Sequence, residues 1–194
     1  MPFPTQPGPS SNGAPVLIRN RNFDANPDIN AANAKGKGWT LERSNLPNGT
    51  QGFTVSGDRT QPVYYVFDGS TLFAERNRSW TPVLSNLVSS QTFGPGFANP
   101  YDARIVYALT SDQGVVVSTD GGSRFASDAK LNALVGADAT NVNQIAFNYD
   151  HPASVAVCTE TGQVFHSLSD GVWQEGCIPL PQSHLPASED VDCR

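Results

Sequence analysis

Six aspartates in turn-rich segments are the residues of this chain that could supply a catalytic pair of carboxylates. They are Asp24, Asp28, Asp58, Asp68, Asp102 and Asp150. Two carboxylates held roughly 5–10 Å apart can hydrolyse a glycosidic bond, with one acting as acid and the other as base or nucleophile. None of the six has a distinctive pattern of neighbours, and aspartate in such segments commonly caps its own turn. The sequence therefore predicts turn-capping aspartates and names no catalytic residue.

The histidines and cysteines of the chain do not have the spacing of metal ligands. They are His151, His166 and His184, and Cys158, Cys177 and Cys193. Cys158 lies in an apolar segment, where we expect a buried thiol. Cys177 and Cys193 lie in a proline-rich segment that a disulfide between them could close, and the sequence leaves that pairing open. No glycine-rich loop precedes a helix, so we expect neither a metal site nor a bound cofactor.

The net charge of the chain and the length of its apolar stretches limit the kinds of partner that it can bind. The formal net charge is −6, whereas a nucleic acid or an anionic membrane surface binds a positive patch, so we expect no nucleic-acid partner. The longest apolar stretches, such as 105–109 and 115–117, are far shorter than the ~20 residues of a membrane-spanning helix, so we expect no membrane span. The N-terminal residues have neither the basic nor the apolar region of a signal peptide.

An internal repeat in the sequence predicts the strands that position these residues. Aromatic residues that follow turn signals recur about 40–50 residues apart, which is the period of β-propeller blades. They are Trp39, Trp80, Phe125 and Trp173. An apolar run precedes each of the last three at a similar distance, at 63–67, 105–109 and 155–158. A hairpin turn and a further strand follow each run.

The repeat predicts an all-β chain built from β-propeller blades of four antiparallel strands. First strands of three complete blades are expected at 52–55, 91–93 and 143–147, and the longest segment compatible with a helix is 127–135. The segments 16–19 and 39–42 supply only the outer two strands of a further blade. Because a propeller closes into a ring or leaves strand edges exposed, we expect about three complete blades plus a half blade, as part of a larger ring.

At 118–125 the sequence resembles the Asp-box, or BNR, repeat family, in which serine, aspartate, glycine and an aromatic residue have a fixed spacing. The family includes sialidases, sortilin-type receptors, oligoxyloglucan-active glycosidases and photosystem-assembly propellers. The complete box contains Ser118, Asp120, Gly122 and Phe125, and a shorter copy with a displaced aspartate contains Ser167, Gly171 and Trp173. Only the aromatic residue of the pattern remains at Trp80. The resemblance extends over residues 16–178.

The box is expected to stabilise the fold and to have no catalytic role. An aspartate in this turn can accept hydrogen bonds from the turn's own backbone N–H groups, and Gly121 and Gly122 permit positive φ angles. The resemblance implies that the boxes lie away from the ligand-binding side. The expected domains are a disordered, Pro/Gly-rich arm at 1–15, the blades at 16–178 and an irregular tail at 179–194.

Two functions remain open at this point. One is a non-catalytic binding module or structural subunit that docks a protein or a glycan, with a partner protein or further copies of the chain completing the propeller. The alternative is a portion of a carbohydrate-active, glycoside hydrolase-like propeller enzyme, with its carboxylates assembled partly outside these residues. The resemblance favours a secreted, periplasmic or organelle-lumen location.

Overall fold

A computed structural model describes residues 15–20, 39–57, 62–88, 96–136, 141–168 and 171–176. The chain divides into two compact units, Met1–Thr50 and Gln51–Arg194. Most of the predicted arm at 1–15 and the whole tail at 179–194 lie outside the described residues. Cys177 and Cys193 lie outside them as well. No helix in the described ranges is both long enough and apolar enough to span a membrane.

The first unit contains a two-stranded antiparallel sheet. Its strands are β1 (Leu17–Asn20) and β2 (Trp39–Arg43), and Asn20 pairs with Trp39 at the end where the strands are joined. The side chain of Leu17 is buried. This sheet corresponds to the expected half blade.

The second unit contains three four-stranded antiparallel sheets, each with its strands in sequence order. The first blade consists of β3 (Gly52–Ser56), β4 (Val63–Phe67), β5 (Leu72–Arg76) and β6 (Ser79–Leu84). The second consists of β7 (Gly96–Ala98), β8 (Val106–Thr110), β9 (Gly114–Ser118) and β10 (Ala126–Ser127), followed by helix α1 (Ala129–Val135). The third consists of β11 (Val142–Phe147), β12 (Ser154–Thr159), β13 (Val164–Leu168) and β14 (Trp173–Glu175). The expected fold class, all-β with four-stranded propeller blades, is confirmed.

Two apolar cores lie between successive blades, because side chains alternate across each strand. In β8, Val106 and Ala108 pack in the core shared with the first blade. Tyr107 and Leu109 pack in the core shared with the third blade and α1. The whole of β8 is buried, and each fully buried Val- or Leu-sized side chain contributes about 1.5–3 kcal/mol. The second blade is therefore held on both of its faces.

Three local predictions need correction. The first strand of the second blade is β7 at Gly96–Ala98, while the expected segment 91–93 lies outside the described residues. A Cβ atom at Gly96 would lie 3.4 Å from Leu72 Cδ1, so this strand approaches the first blade closely. Cys158, expected to be buried, is half-buried with a free thiol. Helix α1 begins at Ala129, later than expected, because the Asp128 side chain caps it by accepting from the Leu131 backbone N–H.

Candidate functional site

The complete box forms the turn between β9 and β10, and its serine and aspartate bind one another and the turn backbone. Ser118 Oγ donates to Asp120 Oδ1 at 2.9 Å and accepts from the Gly122 N–H at 2.8 Å. Asp120 Oδ1 also accepts from the backbone N–H groups of Ser123, at 3.0 Å, and Arg124, at 2.9 Å. Asp120 is thus a turn acceptor.

The electrostatics of Asp120 do not suit a catalytic acid. The hydrogen bond from the Arg124 backbone N–H, and then that from Ser118, hold the pKa of the Asp120 carboxyl below its usual value. A general acid that works near neutral pH needs a raised pKa. The geometry therefore assigns this carboxylate to the turn.

The box turn of the second blade is attached to the first blade. Tyr65 donates its hydroxyl to Gly121 O at 3.0 Å, and the Arg76 guanidinium donates to the same carbonyl. A Cβ atom at Gly122 would lie only 2.9 Å from Tyr65 Cε1, and Gly122 has a φ of +77°. Burial raises the pKa of Tyr65 to about 12. The box therefore holds two blades together through a buried phenol.

The aromatic residues of the repeat are half-buried where the structure describes their side chains. Phe125 packs against the core between the first and second blades, and Trp173 against the core between the second and third. Trp173 Nε1 donates to Asp128 Oδ2 at 3.0 Å. Trp80 lies half-buried in β6. The side chain of Trp39 lies outside the described residues.

The shorter box has fewer observed contacts. Ser167 is buried, and Gly171 has a φ of +67°. Lys130 Nζ donates to Gly171 O at 3.1 Å, so a basic side chain binds this turn carbonyl as Arg76 binds that of Gly121. Residues 169 and 170, which include the displaced aspartate, lie outside the described residues.

Two of the candidate carboxylates that the structure describes, Asp68 and Asp102, are bound by partners close to them in sequence. Asp68 Oδ1 accepts from the Ser70 and Thr71 backbone N–H groups, and the Ser70 bond is the largest cause of its lowered pKa. Asp102 forms an ion pair with Arg104 at 2.8 Å, which lowers the Asp102 pKa. Asp150 is exposed, and its backbone N–H donates to Asn148 Oδ1 at 2.8 Å. The described His, Cys, Asp and Glu side chains include no metal-binding group. Asp24, Asp28, Asp58 and His184 lie outside these residues.

A buried asparagine links the second blade to the third. Asn99 is fully buried, and its Oδ1 accepts from the backbone N–H groups of Tyr101, at 2.9 Å, and Asp102, at 3.1 Å. Its Nδ2 donates to Pro152 O, in the third blade, at 2.6 Å. These three hydrogen bonds fix the loop after β7 against the neighbouring blade.

The third blade repeats this turn without the link. Asn148 Oδ1 accepts from the backbone N–H groups of Asp150, at 2.8 Å, and His151, at 3.3 Å. Asn148 is exposed, and its amide nitrogen has no partner in the part of the chain that the structure describes. The equivalence of Asn99 and Asn148 was not predicted from the sequence. A signal for it exists, because each asparagine stands seven residues before the valine that pairs with the box serine. These valines are Val106 and Val155.

The outer face of the third blade, on the side away from the second blade, carries alanines beside polar side chains. Ala146, Ala156 and His166 lie side by side across β11, β12 and β13. The same register positions of the second blade hold Phe97, Tyr107 and Val117. Those three side chains pack against the third blade. The third blade thus has alanines where the second has Phe97 and Tyr107, and a histidine where the second has Val117.

A groove of about 240 Å³ lies on this face. Its lining includes Ala146, Ala156, His166 and Leu168. Leu168 is 63% exposed, and it shares the face with His166 because the two lie two residues apart in β13. His166 Nδ1 is buried, and it has no hydrogen-bond partner among the described residues. We refer to Ala146, Ala156, His166 and Leu168 as the outer groove.

Comparison with known proteins gives a likeness of structure only. No family model matches the chain, and no curated protein matches it. A GH74 enzyme from Niastella koreensis has 18% sequence identity and a TM-score of 0.52, over 71% of this chain and 20% of that one. The chain has a β-propeller-like repeat fold. A GH74 xyloglucanase from Xanthomonas campestris has 17% identity and a TM-score of 0.46, over 66% of this chain and 23% of that one. The chain therefore spans about a fifth of the length of these structures.

Proposed function

We propose that the chain is a non-catalytic β-propeller module of the Asp-box type that docks a protein over the outer face of its third blade. The observation that carries this proposal is the contrast between two equivalent positions. Asn99 is buried and bound to the next blade, whereas Asn148 makes the same turn and is exposed. Asn148 therefore has the position of a residue that joins one blade to the next. It has no partner on a further blade among the described residues.

The side chains of the outer groove support the same function. Protein-binding surfaces combine an apolar centre with a polar rim, and the groove has alanine and leucine side chains next to polar turns. The groove is lined by no carboxylate, lysine or arginine, so a partner can cover it without burying an unpaired charge. The expected location in a secreted, periplasmic or organelle-lumen compartment forms part of this proposal and follows from the Asp-box resemblance.

Thermal unfolding and hydrophobic-dye binding of Leu168→Asp test whether this face is open. The matched control is Leu41→Asp, because Leu41 is also an exposed strand leucine, at 62% against 63% for Leu168. Both variants should keep a Tm within about 2 °C of the unsubstituted chain, since exposed positions tolerate substitution. Only Leu168→Asp should reduce dye binding. A clear drop in Tm for Leu168→Asp alone would show that the face is covered in the folded chain.

A portion of a carbohydrate-active enzyme is the second candidate, favoured by the structural likeness to a GH74 enzyme. The turn-bound states of Asp68, Asp102 and Asp120 argue against it for the described residues. The test is hydrolysis of xyloglucan by the chain, followed by release of reducing ends. We expect none. Turnover that Asp150→Asn abolishes, while the fold is retained, would replace the docking proposal with the enzymatic one.

A further inference from the structure

We propose that Tyr101 and Tyr149 form a binding site for a quaternary ammonium group, such as that of choline. The two tyrosines lie on the loops that join the first and second strands of the second and third blades, at 99–105 and 148–153. We refer to the angle between their rings as the aromatic corner. Neither tyrosine lines the outer groove, so this inference goes beyond the proposed function and does not depend on it.

The two rings of the aromatic corner meet at a right angle. Their centroids lie 5.3 Å apart, and their planes are inclined at 89° to one another. The edge of one ring therefore points at the face of the other, and a ligand in the angle contacts one face of each ring. Each face carries the negative part of the ring quadrupole, so both rings attract a cation in the angle. A flat ligand can stack on only one of the two faces.

Both rings remain open to solvent, although the loops that carry them are fixed. Tyr149 is 75% exposed and Tyr101 is 44% exposed. Asn99 Oδ1 accepts from the Tyr101 backbone N–H, and Asn99 Nδ2 donates to Pro152 O in the loop of Tyr149. The link between the two loops is thus made by the asparagine, and the rings are free to contact a ligand. A site that is held in place before its ligand arrives loses less entropy on binding.

The carboxylates of these loops favour a cation. Asp150 follows Tyr149 and is exposed, and its carboxylate has no hydrogen-bond or ion-pair partner in the part of the chain that the structure describes. The carboxylate of Asp102 binds the Arg104 guanidinium through both of its oxygens, so that basic side chain is already paired. One carboxylate beside the aromatic corner is therefore left to attract a positive ligand.

The main-chain carbonyl groups of the loops favour a cation without N–H donors. Asp102 O already accepts from the Ile105 N–H. His151 O already accepts from the Ser154 N–H. A primary ammonium or a guanidinium group needs acceptors to replace the water that it loses on binding. A quaternary ammonium group has no such need and presents methyl groups to both rings, which is how aromatic sites recognise choline.

Titration with choline, followed by NMR of the chain with isotope-labelled tyrosine, tests the aromatic corner. The chain has five tyrosines. The ring signals of Tyr101 and Tyr149 should shift, while the buried Tyr64, Tyr65 and Tyr107 serve as internal controls. The neutral analogue of choline, in which a tert-butyl group replaces the trimethylammonium group, should bind about threefold or more weakly, because it has the same shape without the charge.

Three variants at exposed positions assign the binding to the proposed groups. Tyr149→Leu should weaken choline binding about threefold or more, whereas Tyr149→Phe retains the ring and should bind as the unsubstituted chain does. Asp150→Asn should weaken binding about twofold, as expected for an exposed charge. Circular dichroism establishes that each variant is folded. Leu168→Asp should bind choline normally, so a failure here is distinct from a failure of the docking proposal.

The outcomes also identify the source of the ammonium group. Equal binding of choline and its neutral analogue, or unchanged binding in Tyr149→Leu, would overturn the inference. If choline binds as expected, sedimentation with phosphatidylcholine vesicles distinguishes a lipid headgroup from a free solute. Vesicle binding that Tyr149→Leu removes would identify the lipid, and choline binding without vesicle binding would identify the solute.

Discussion

Replacing Asn99 by alanine should destabilise the chain far more than replacing Asn148, although the two residues make the same turn. Asn99 is fully buried and donates to Pro152 O across the boundary between two blades. Asn148 is exposed and makes only the two bonds within its own turn. The pair therefore isolates the contribution of the contact between blades from that of the turn.

The expected magnitudes follow from the groups that each substitution leaves without a partner. Asn99→Ala removes the partner of two backbone N–H groups and of Pro152 O, and a buried polar group left unpaired costs about 1–3 kcal/mol. Because these bonds are not fully additive, we expect a total loss of about 3–5 kcal/mol. Asn148→Ala should cost about 1 kcal/mol, since water can replace the lost bonds at an exposed turn.

Urea unfolding, followed by tryptophan fluorescence at one low protein concentration, measures both values. A single low concentration limits any contribution of self-association to stability. The two variants should share the slope of the unsubstituted chain and differ in midpoint. Equal losses for Asn99→Ala and Asn148→Ala would refute the reasoning, because the contact with Pro152 would then contribute nothing beyond the turn.

Three further outcomes are expected. Gly162→Ala should cost about 1–2 kcal/mol through its positive φ alone, and Gly122→Ala should cost more in the same unfolding assay because its Cβ would also meet Tyr65. Asp120 has a lowered pKa in the folded chain, so the stability it contributes is present above its unfolded pKa of about 3.9 and is lost as pH falls through its folded pKa. The Tm of Asp120→Asn should therefore fall less steeply than that of the unsubstituted chain as pH drops below about 3.9. The Tyr65 pKa is raised from 10.0 to about 12, so its stabilisation is complete below pH 10 and is lost as pH rises toward 12. The stability of Tyr65→Phe should therefore fall less steeply between pH 10 and 12 than that of the unsubstituted chain. The same loss of stability in both would contradict the raised pKa of Tyr65.

The central strands of the blades could be predicted from sequence because their burial leaves a direct trace. A strand packed on both faces needs apolar side chains at nearly every position, and β4 and β8 show such runs at 63–67 and 105–109. The box turn was equally accessible, since Asp120 and its glycines have a local pattern of residue types. Both signals depend on neighbours in sequence.

The sequence did not predict the correct position of the first strand of the second blade, and it did not predict the outer groove. Strand β7 has only three residues, and Ala98 N–H donates to Thr54 Oγ1 of the first blade, so its position depends on a distant contact. The groove depends on register, because Ala146, Ala156 and His166 become neighbours only when three strands pair. No single strand among them carries an unusual pattern.

The two faces of the third blade show what shape its partner must have. On the inner face Ile145, Val155 and Phe165 fill the core against the second blade; on the outer face the adjacent residues are Ala146, Ala156 and His166. Protein interfaces that exclude water pack as densely as protein interiors. A partner for the outer face must therefore project larger apolar side chains than a copy of this face's own alanines could supply.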